Sequence, residues 1–288
     1  MLKILIPSKN RPAQLRMLLQ SMQKFWQHEY PIELYLTWTT PEYKAGFDKV
    51  FHEFNKDKRI KWYATRTMKE NIDEFWSKSP TELISIITDD CIFYSKCDLH
   101  DEILSSVFSK PEVLSFGLRN GKNCEIVDWR KPDAKEDKVL TAYEGINLIS
   151  WNWKEVQRGH FRVPISLDGG VVRTKDFSRL SQDVERNNYR QLEGCINDYA
   201  RRFDQFKMFS FKKSCLVNVP ANQVVEAGQL SNGERFDYST NVLNSLLLSD
   251  IFIDLDATLE DNKDRLGICV QTELQFRFHV KRKWWEIW

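Results

Sequence analysis

Residues 84–93 read ISIITDDCIF, with two adjacent carboxylates, Asp89 and Asp90, directly behind an apolar run that a buried strand would use. Like charges a few ångströms apart repel, and each loses hydration as it nears a core. A divalent cation makes the pair an asset, because hard cations take carboxylate oxygens. The competing reading is a strand that ends in a solvated turn, where Asp is common. A second polar group of residues, PSKNRP (7–12), follows the first apolar run of the chain. No His/Cys spacing of a metal finger, no GxGxxG and no GxxxxGK[ST] is present.

The elements that must carry these residues alternate in period over the first 90 positions. LKILI (2–6) is a short continuous apolar run, as in a strand covered on both faces. Leu15, Leu18, Leu19, Met22 and Phe25 then recur at helical spacing, with Pro12 in the first turn, where a missing N–H costs little. IELYLTW (32–38) and IKWYAT (60–65) read as strands, and Phe47, Val50, Phe51 and Phe54 as a helix between them. Ile72, Phe75 and Trp76 mark a short third helix, and ELISIIT (82–88) a fourth strand. This order predicts a parallel sheet wound with helices. Ligands of such sheets sit beyond the carboxyl ends of the strands, so PSKNRP and the Asp89/Asp90 pair converge on one edge. The second half is less regular. A helix over 99–108, a strand VLSFGL (113–118), a helix through Leu192, Cys195, Ile196, Tyr199 and Phe203, a strand CLVNVP (215–220) and a helix at 242–247 stand out, with KPDAKEDK (131–138) as an exposed turn or loop.

Composition narrows the class. At 288 residues the chain suits one large α/β domain or two small ones. Hydrophobic content of 42% and charged content of 29% are those of a soluble globular protein, and a net charge of +1 supplies no bulk attraction to nucleic acid. The six cysteines form no CxxC pair and suit reduced, mostly buried thiols of a cytoplasmic protein. The apolar run before Pro7 is too short for a signal peptide or a membrane span. Aromatic content of 13%, with 10 Trp, is high, and both a sugar-binding surface and a large core use such an excess.

The motifs together resemble the family 2-like glycosyltransferases of the GT-A fold. ILIPSKNRPAQLRMLLQSM is similar to that family's opening strand, Pro–(Ser/Thr)–x–Asn–Arg turn and helix, and ITDD to its DxD motif. LDGGVVRTKDF (167–177), LEGCINDYARRF (192–203) and VPANQVVEAGQLSNGE (219–234) resemble the acceptor-side strand, the helix of the catalytic carboxylate and the closing segment near the metal. The resemblance implies a catalytic domain over 1–235 with a mostly parallel sheet, followed by a helical C-terminal extension over 236–288. It departs from the pattern in three places. Strand two ends TWTTPEY without the acidic residue that reads uracil, the Glu-Asp pair appears as Glu193-Gly194, and the closing segment has Glu226 where a metal-binding His is common.

The resemblance implies a metal-dependent transfer of a sugar from a nucleotide-sugar donor, UDP-sugar first and GDP-sugar second, to a polysaccharide, lipid-linked or surface-glycan acceptor. Asp90 is the direct ligand of Mn²⁺ or Mg²⁺ in this scheme, with Glu226 as a further ligand. Thr88 and Asp89 contact the ribose or a metal-bound water. Pro7, Ser8, Asn10 and Arg11 hold the nucleotide, Arg11 through its planar fork, and Lys69 and Asn71 assist from the end of strand three. The alternatives for Asn10 and Arg11 are a helix N-cap and a solvated charge. Inversion requires a base for the acceptor hydroxyl; Glu193 is the first candidate and Asp168 the second. Trp151, Trp153 and His160 are candidates to line the acceptor pocket, and Gly169 and Gly170 either allow close approach of a sugar or simply turn the chain after Asp168. Two other classes compete: a sugar-nucleotide pyrophosphorylase, which would need a Gly-rich loop after strand one, and a carbohydrate-binding protein on a degenerate transferase scaffold. The terminus FHVKRKWWEIW (278–288) combines Lys and Arg with Trp, as in a peripheral anchor at the inner face of a membrane; docking on its own domain is the equal alternative.

Overall fold

The computed structural model describes residues 1–65, 67, 75, 82–128, 131–143, 147–181, 189–222, 238–260 and 274–278. Strand β1 (Leu2–Lys9) is buried along nearly its whole length, and its residues serve two cores in alternation. Leu2, Ile4 and Ile6 face one cluster and Leu5 the other, which is why the sequence shows a continuous apolar run rather than an alternation. Helix α1 (Pro12–Phe25) begins on its proline and buries most of its surface. It is followed by β2 (Ile32–Thr37), α2 (Pro41–Phe54), β3 (Ile60–Ala64) and β4 (Leu83–Ile86). The short third helix expected around Ile72 and Trp76 lies outside the described residues, apart from the buried Phe75.

The rest of the chain adds β5 (Cys91–Phe93), α3 (Asp101–Phe108), β6 (Val113–Gly117), the pair β7 (Ile126–Asp128) and β8 (Lys131–Lys135), β9 (Thr141–Ala142) and β10 (Leu148–Asn152). A 3-10 turn at His160–Arg162 leads to β11 (Gly170–Arg173), α4 (Thr174–Ser181), α5 (Tyr189–Ala200), β12 (Lys207–Phe211) and β13 (Leu216–Asn218). Residues 131–135 are thus a strand and not the exposed loop expected for 131–138. They pair antiparallel with β7, and the next residue, Glu136, is buried and accepts from His160. A polar strand on one hairpin carries no hydrophobic alternation, so its sequence reads as loop.

The main sheet has nine strands in the order β3-β2-β1-β4-β11-β6-β12-β10-β9. Only β11 and β10 run against the others, so the sheet is mostly parallel, as expected, with helical layers on both faces. The reversal of β11 matters for the site, because it brings the amino-terminal turn of that strand, Ser166–Gly169, to the edge where β1, β4 and β6 end.

The C-terminal part contains α6 (Thr240–Leu248), β14 (Ile251–Ile253), α7 (Leu255–Glu260) and β15 (Phe276–Phe278). Beside its helices it therefore carries a two-stranded antiparallel pair, β14 with β15. Leu243, Leu247, Phe252, Ile253 and Leu255 belong to the same core as α1 and α2. No described helix is long and apolar enough to cross a membrane. The basic-aromatic tail over 281–288 lies outside the described residues.

Candidate active site

Four chain segments meet at the carboxyl edge. The end of β1 supplies Ser8 and Arg11, the turn after β4 supplies Thr88, Asp89 and Asp90, the turn after β6 supplies Arg119, and the turn before β11 supplies Asp168. Ser8 Oγ donates to Asp89 Oδ2 at 2.6 Å. Arg11 Nη1 reaches Asp89 Oδ1 at 3.1 Å and Asp90 Oδ2 at 3.3 Å, and Nη2 donates to the Asn222 carbonyl at 2.6 Å. On the other side Arg119 Nη1 pairs with Asp168 Oδ2 at 2.7 Å, and Nη2 donates to Ser166 Oγ at 2.6 Å. The two expected halves of the site, the PSKNRP turn and the TDD strand end, are in direct contact.

Charge does not balance here. Asp89, Asp90, Asp168 and the nearby Glu193 face the guanidinium groups of Arg11 and Arg119 among the described residues. Asp89 is 4% exposed, and burial, against the opposing pull of Arg11, pushes its carboxyl up to about 6. Thr88 Oγ1 stands between Asp90 Oδ1, at 2.9 Å, and Asp168 Oδ1, yet one hydroxyl hydrogen can serve only one of them. Asn218 Nδ2 adds a bond to Asp90 Oδ1 at 2.8 Å, from β13 directly opposite Cys91 in register. Ligand atoms of Asp90, Asp168 and Cys91 all lie within 4.8 Å of one another. The oxygen pair, with its excess negative charge, fits Mn²⁺ or Mg²⁺. The Cys91 thiol is pushed well above its ordinary value, first by burial and then by Asp168 and Asp90, so without a cation it stays protonated.

Glu193 lies on α5, half-buried, where its Oε1 accepts the Leu167 N–H at 2.9 Å. One turn on, Asn197 bonds Ile165 through both its carbonyl and its N–H, so α5 clamps the turn that carries Asp168. Burial, and then the charge of Asp168, raises the Glu193 pKa, with Arg119 opposing. A Cβ on Gly194 would meet nothing within 4 Å. Gly169 has φ +90°, and a Cβ there would come 2.3 Å from Leu216; at Gly170 it would meet the Ser166 carbonyl at 2.5 Å. Protein atoms occupy the space beside both glycines, and they serve the turn.

Other expected residues fall elsewhere. Asn10 is not the N-cap of α1; Arg11 occupies that position, with no side-chain cap bond. Asn10 has φ 57° and exchanges two hydrogen bonds with Thr39, its Nδ2 donating to Oγ1 and its Oδ1 accepting the backbone N–H, both at 2.9 Å. Asn tolerates this left-handed geometry, and the bonds tie the first turn to the end of β2. Pro7 is buried within β1 opposite Tyr35. Trp151 and Trp153 are core residues, 2% and 3% exposed, whose indole N–H groups donate to the carbonyls of Phe161 and Gln205. His160 pairs with the buried Glu136 at 2.6 Å. No bond joins these three to the acidic cluster among the described residues. Lys69, Asn71 and Glu226 lie outside the described residues.

Arg119, Asn218 and Ser166 were not legible as site residues. Arg119 carried one signal: it follows the strand 113–117 by two residues, and so sits at the carboxyl edge like the TDD turn. A cleft of about 840 Å³ at the opposite edge, near Met1, Leu83, Phe108 and Arg173, lacks such convergence. There, Arg173 is spent on the carbonyls of Phe108, Lys110 and Val113.

No protein-family model matches the chain, and no curated protein matches it. Solved structures do. TarS of S. aureus aligns at a TM-score of 0.49 and 11% identity over 77% of this chain and 37% of its own. Its 1–349 segment in complex with UDP aligns at 0.47 and 10%, over 75% and 59%. The mannosyltransferase PcManGT from Pyrobaculum calidifontis, in complex with GDP-Man and Mn²⁺, aligns at 0.39 and 10%, over 72% and 53%. The chain spans less than two thirds of each of these solved chains.

Proposed function

We propose that the protein is a cation-dependent glycosyltransferase of the GT-A type that uses a nucleotide-sugar donor, with inversion at the transferred sugar. The observation that carries this is the direct contact of the PSKNRP turn with the TDD strand end, in a cluster whose carboxylates outnumber its guanidinium groups. A divalent cation held by Asp90 and Asp168 would supply charge stabilisation for a leaving diphosphate. Ser8, Thr88 and Asp89 face the nucleotide, and Arg11 and Arg119 bring positive charge beside its phosphates. Glu193 is the base for the acceptor hydroxyl, because desolvation moves its carboxyl toward a useful basicity, whereas Asp168 is engaged by Arg119 and Thr88. The acceptor is a glycan or a lipid-linked sugar, approached from the open side of Gly194.

The test is a thermal-shift panel of UDP-, GDP-, CMP- and dTDP-sugars, each with Mn²⁺ and with EDTA. A ligand at 100 times its dissociation constant stabilises by about 2.7 kcal/mol, which such a scan resolves. One nucleotide class should shift the transition with Mn²⁺ alone. A shift with glycans, and with no nucleotide sugar, would instead identify a carbohydrate-binding protein on this scaffold.

A further inference from the structure

Arg11 makes a poor ion pair with good partners. A guanidinium prefers two parallel bonds to one carboxylate at about 2.7–2.9 Å. Arg16, farther along α1, has that geometry, with Nε and Nη2 each 2.7 Å from the two oxygens of Glu53. Arg11 instead divides Nη1 between Asp89 and Asp90 at 3.1 and 3.3 Å, and its Nε is buried without a hydrogen-bond partner among the described residues. Only the bond from Nη2 to the Asn222 carbonyl, at 2.6 Å, is short. The fork therefore grips no single carboxylate with two parallel bonds, and the charge rests beside the oxygens that a divalent cation would need.

We propose that Arg11 is a displaceable counter-cation: it occupies the Asp89/Asp90 pair in the free protein and leaves Asp90 for the donor's diphosphate when a divalent cation binds. The inference rests on the proposed function and adds an order of events to it. A dication on Asp90 stands next to Nη1, and the two positive charges repel. Pivoting on the Asn222 carbonyl, the guanidinium exchanges two long, shared contacts for a diphosphate that accepts its fork, Nε included. Arg11 thus opposes cation binding when no nucleotide is present and supports nucleotide binding once the cation is in place. A residue that merely held the turn together would favour both.

The experiment titrates Mn²⁺ into the nucleotide-free protein, with free Mn²⁺ read by electron paramagnetic resonance. UDP and GDP are then titrated calorimetrically at saturating Mn²⁺. Wild type, Arg11→Gln and Arg11→Lys are compared. Arg11→Gln should bind Mn²⁺ roughly tenfold more tightly than wild type and the nucleotide roughly tenfold more weakly, the scale of one charge-assisted bond. Arg11→Lys keeps the charge and loses the fork, so its Mn²⁺ affinity should stay near wild type while its nucleotide affinity falls; it decides the matter if Arg11→Gln does not fold. Loss of both affinities together, or an unchanged Mn²⁺ affinity in Arg11→Gln, overturns the proposal. A wild type that binds Mn²⁺ but no nucleotide of the four-donor panel contradicts the proposed function instead, while the Mn²⁺ comparison still decides the role of Arg11.

Discussion

Two carboxyl groups of the site, Asp168 and Glu193, meet different surroundings. Arg119 and Thr88 hold Asp168, whereas Glu193 is desolvated and feels the charge of Asp168, which raises its pKa. A base with a raised pKa loses activity as pH falls through that value, so turnover should drop on an acid limb above the ordinary Glu range of about 4.3. Glu193→Gln should lower turnover by ~10²–10⁴ while leaving nucleotide affinity nearly unchanged, and any acid limb it keeps belongs to Asp89, whose carboxyl is raised to about 6. Steady-state rates between pH 4 and 8 check this; a larger loss in Asp168→Asn than in Glu193→Gln would reverse the two roles. Asn10 makes a second prediction at this scale. Its φ of 57° and its two bonds to Thr39 favour Asn, then Gly, over any residue with an ordinary Cβ. Asn10→Ala should cost about 1–2 kcal/mol from the left-handed backbone alone, and Asn10→Gly less, as read by urea denaturation.

At the scale of elements, the site is a consequence of strand direction. The parallel run β3-β2-β1-β4 sends the PSKNRP turn and the TDD turn to one edge, and both were legible because each follows an apolar run that only a buried strand would use. Of the partners from the second half, Asp168 and Glu193 came from the family resemblance alone, and Arg119, Ser166 and Asn218 were not legible. Asp168 reaches the same edge because β11 is reversed, and periodicity does not encode strand direction. Asn218 acts through a two-stranded side sheet with β5, whose three apolar residues are too few to show a strand period. Glu193 lies on the helix that Leu192, Ile196 and Tyr199 mark, but its bond to the Leu167 N–H belongs to tertiary packing. Lys3 shows the same limit: it sits 8% exposed inside β1 because Glu33 on β2 pairs with it at 2.8 Å and Tyr35 completes Glu33. Removing one partner of a buried pair typically costs about 3–5 kcal/mol, and replacing both by apolar residues is near neutral. Glu33→Leu should therefore destabilise strongly, and the double variant Lys3→Met/Glu33→Leu should recover most of the loss in the same denaturation assay.

At the scale of the whole molecule, the described residues 238–260 and 274–278 pack into the same core as α1 and α2. Phe252 packs against the Arg16 guanidinium at 3.9 Å, Tyr43 bonds Asn241, and Leu243 and Leu247 complete the core over α1 and α2. Each large side chain lost from such a core costs about 2–5 kcal/mol, so a chain ending at 235 should lose its cooperative thermal transition. Removal of 281–288 should reduce sedimentation with anionic vesicles at low salt, and an intact protein that ignores such vesicles would make the tail structural. The carboxyl edge of the sheet carries the proposed chemistry, and one measurement tests it most directly. Calorimetric titration of the preferred nucleoside diphosphate into wild type and Asp90→Asn, each with Mn²⁺ and with EDTA, asks whether binding runs through the cation held by Asp90. The predicted result is binding by wild type with Mn²⁺ only and none by a folded Asp90→Asn; equal binding by Asp90→Asn, or by wild type in EDTA, would contradict it.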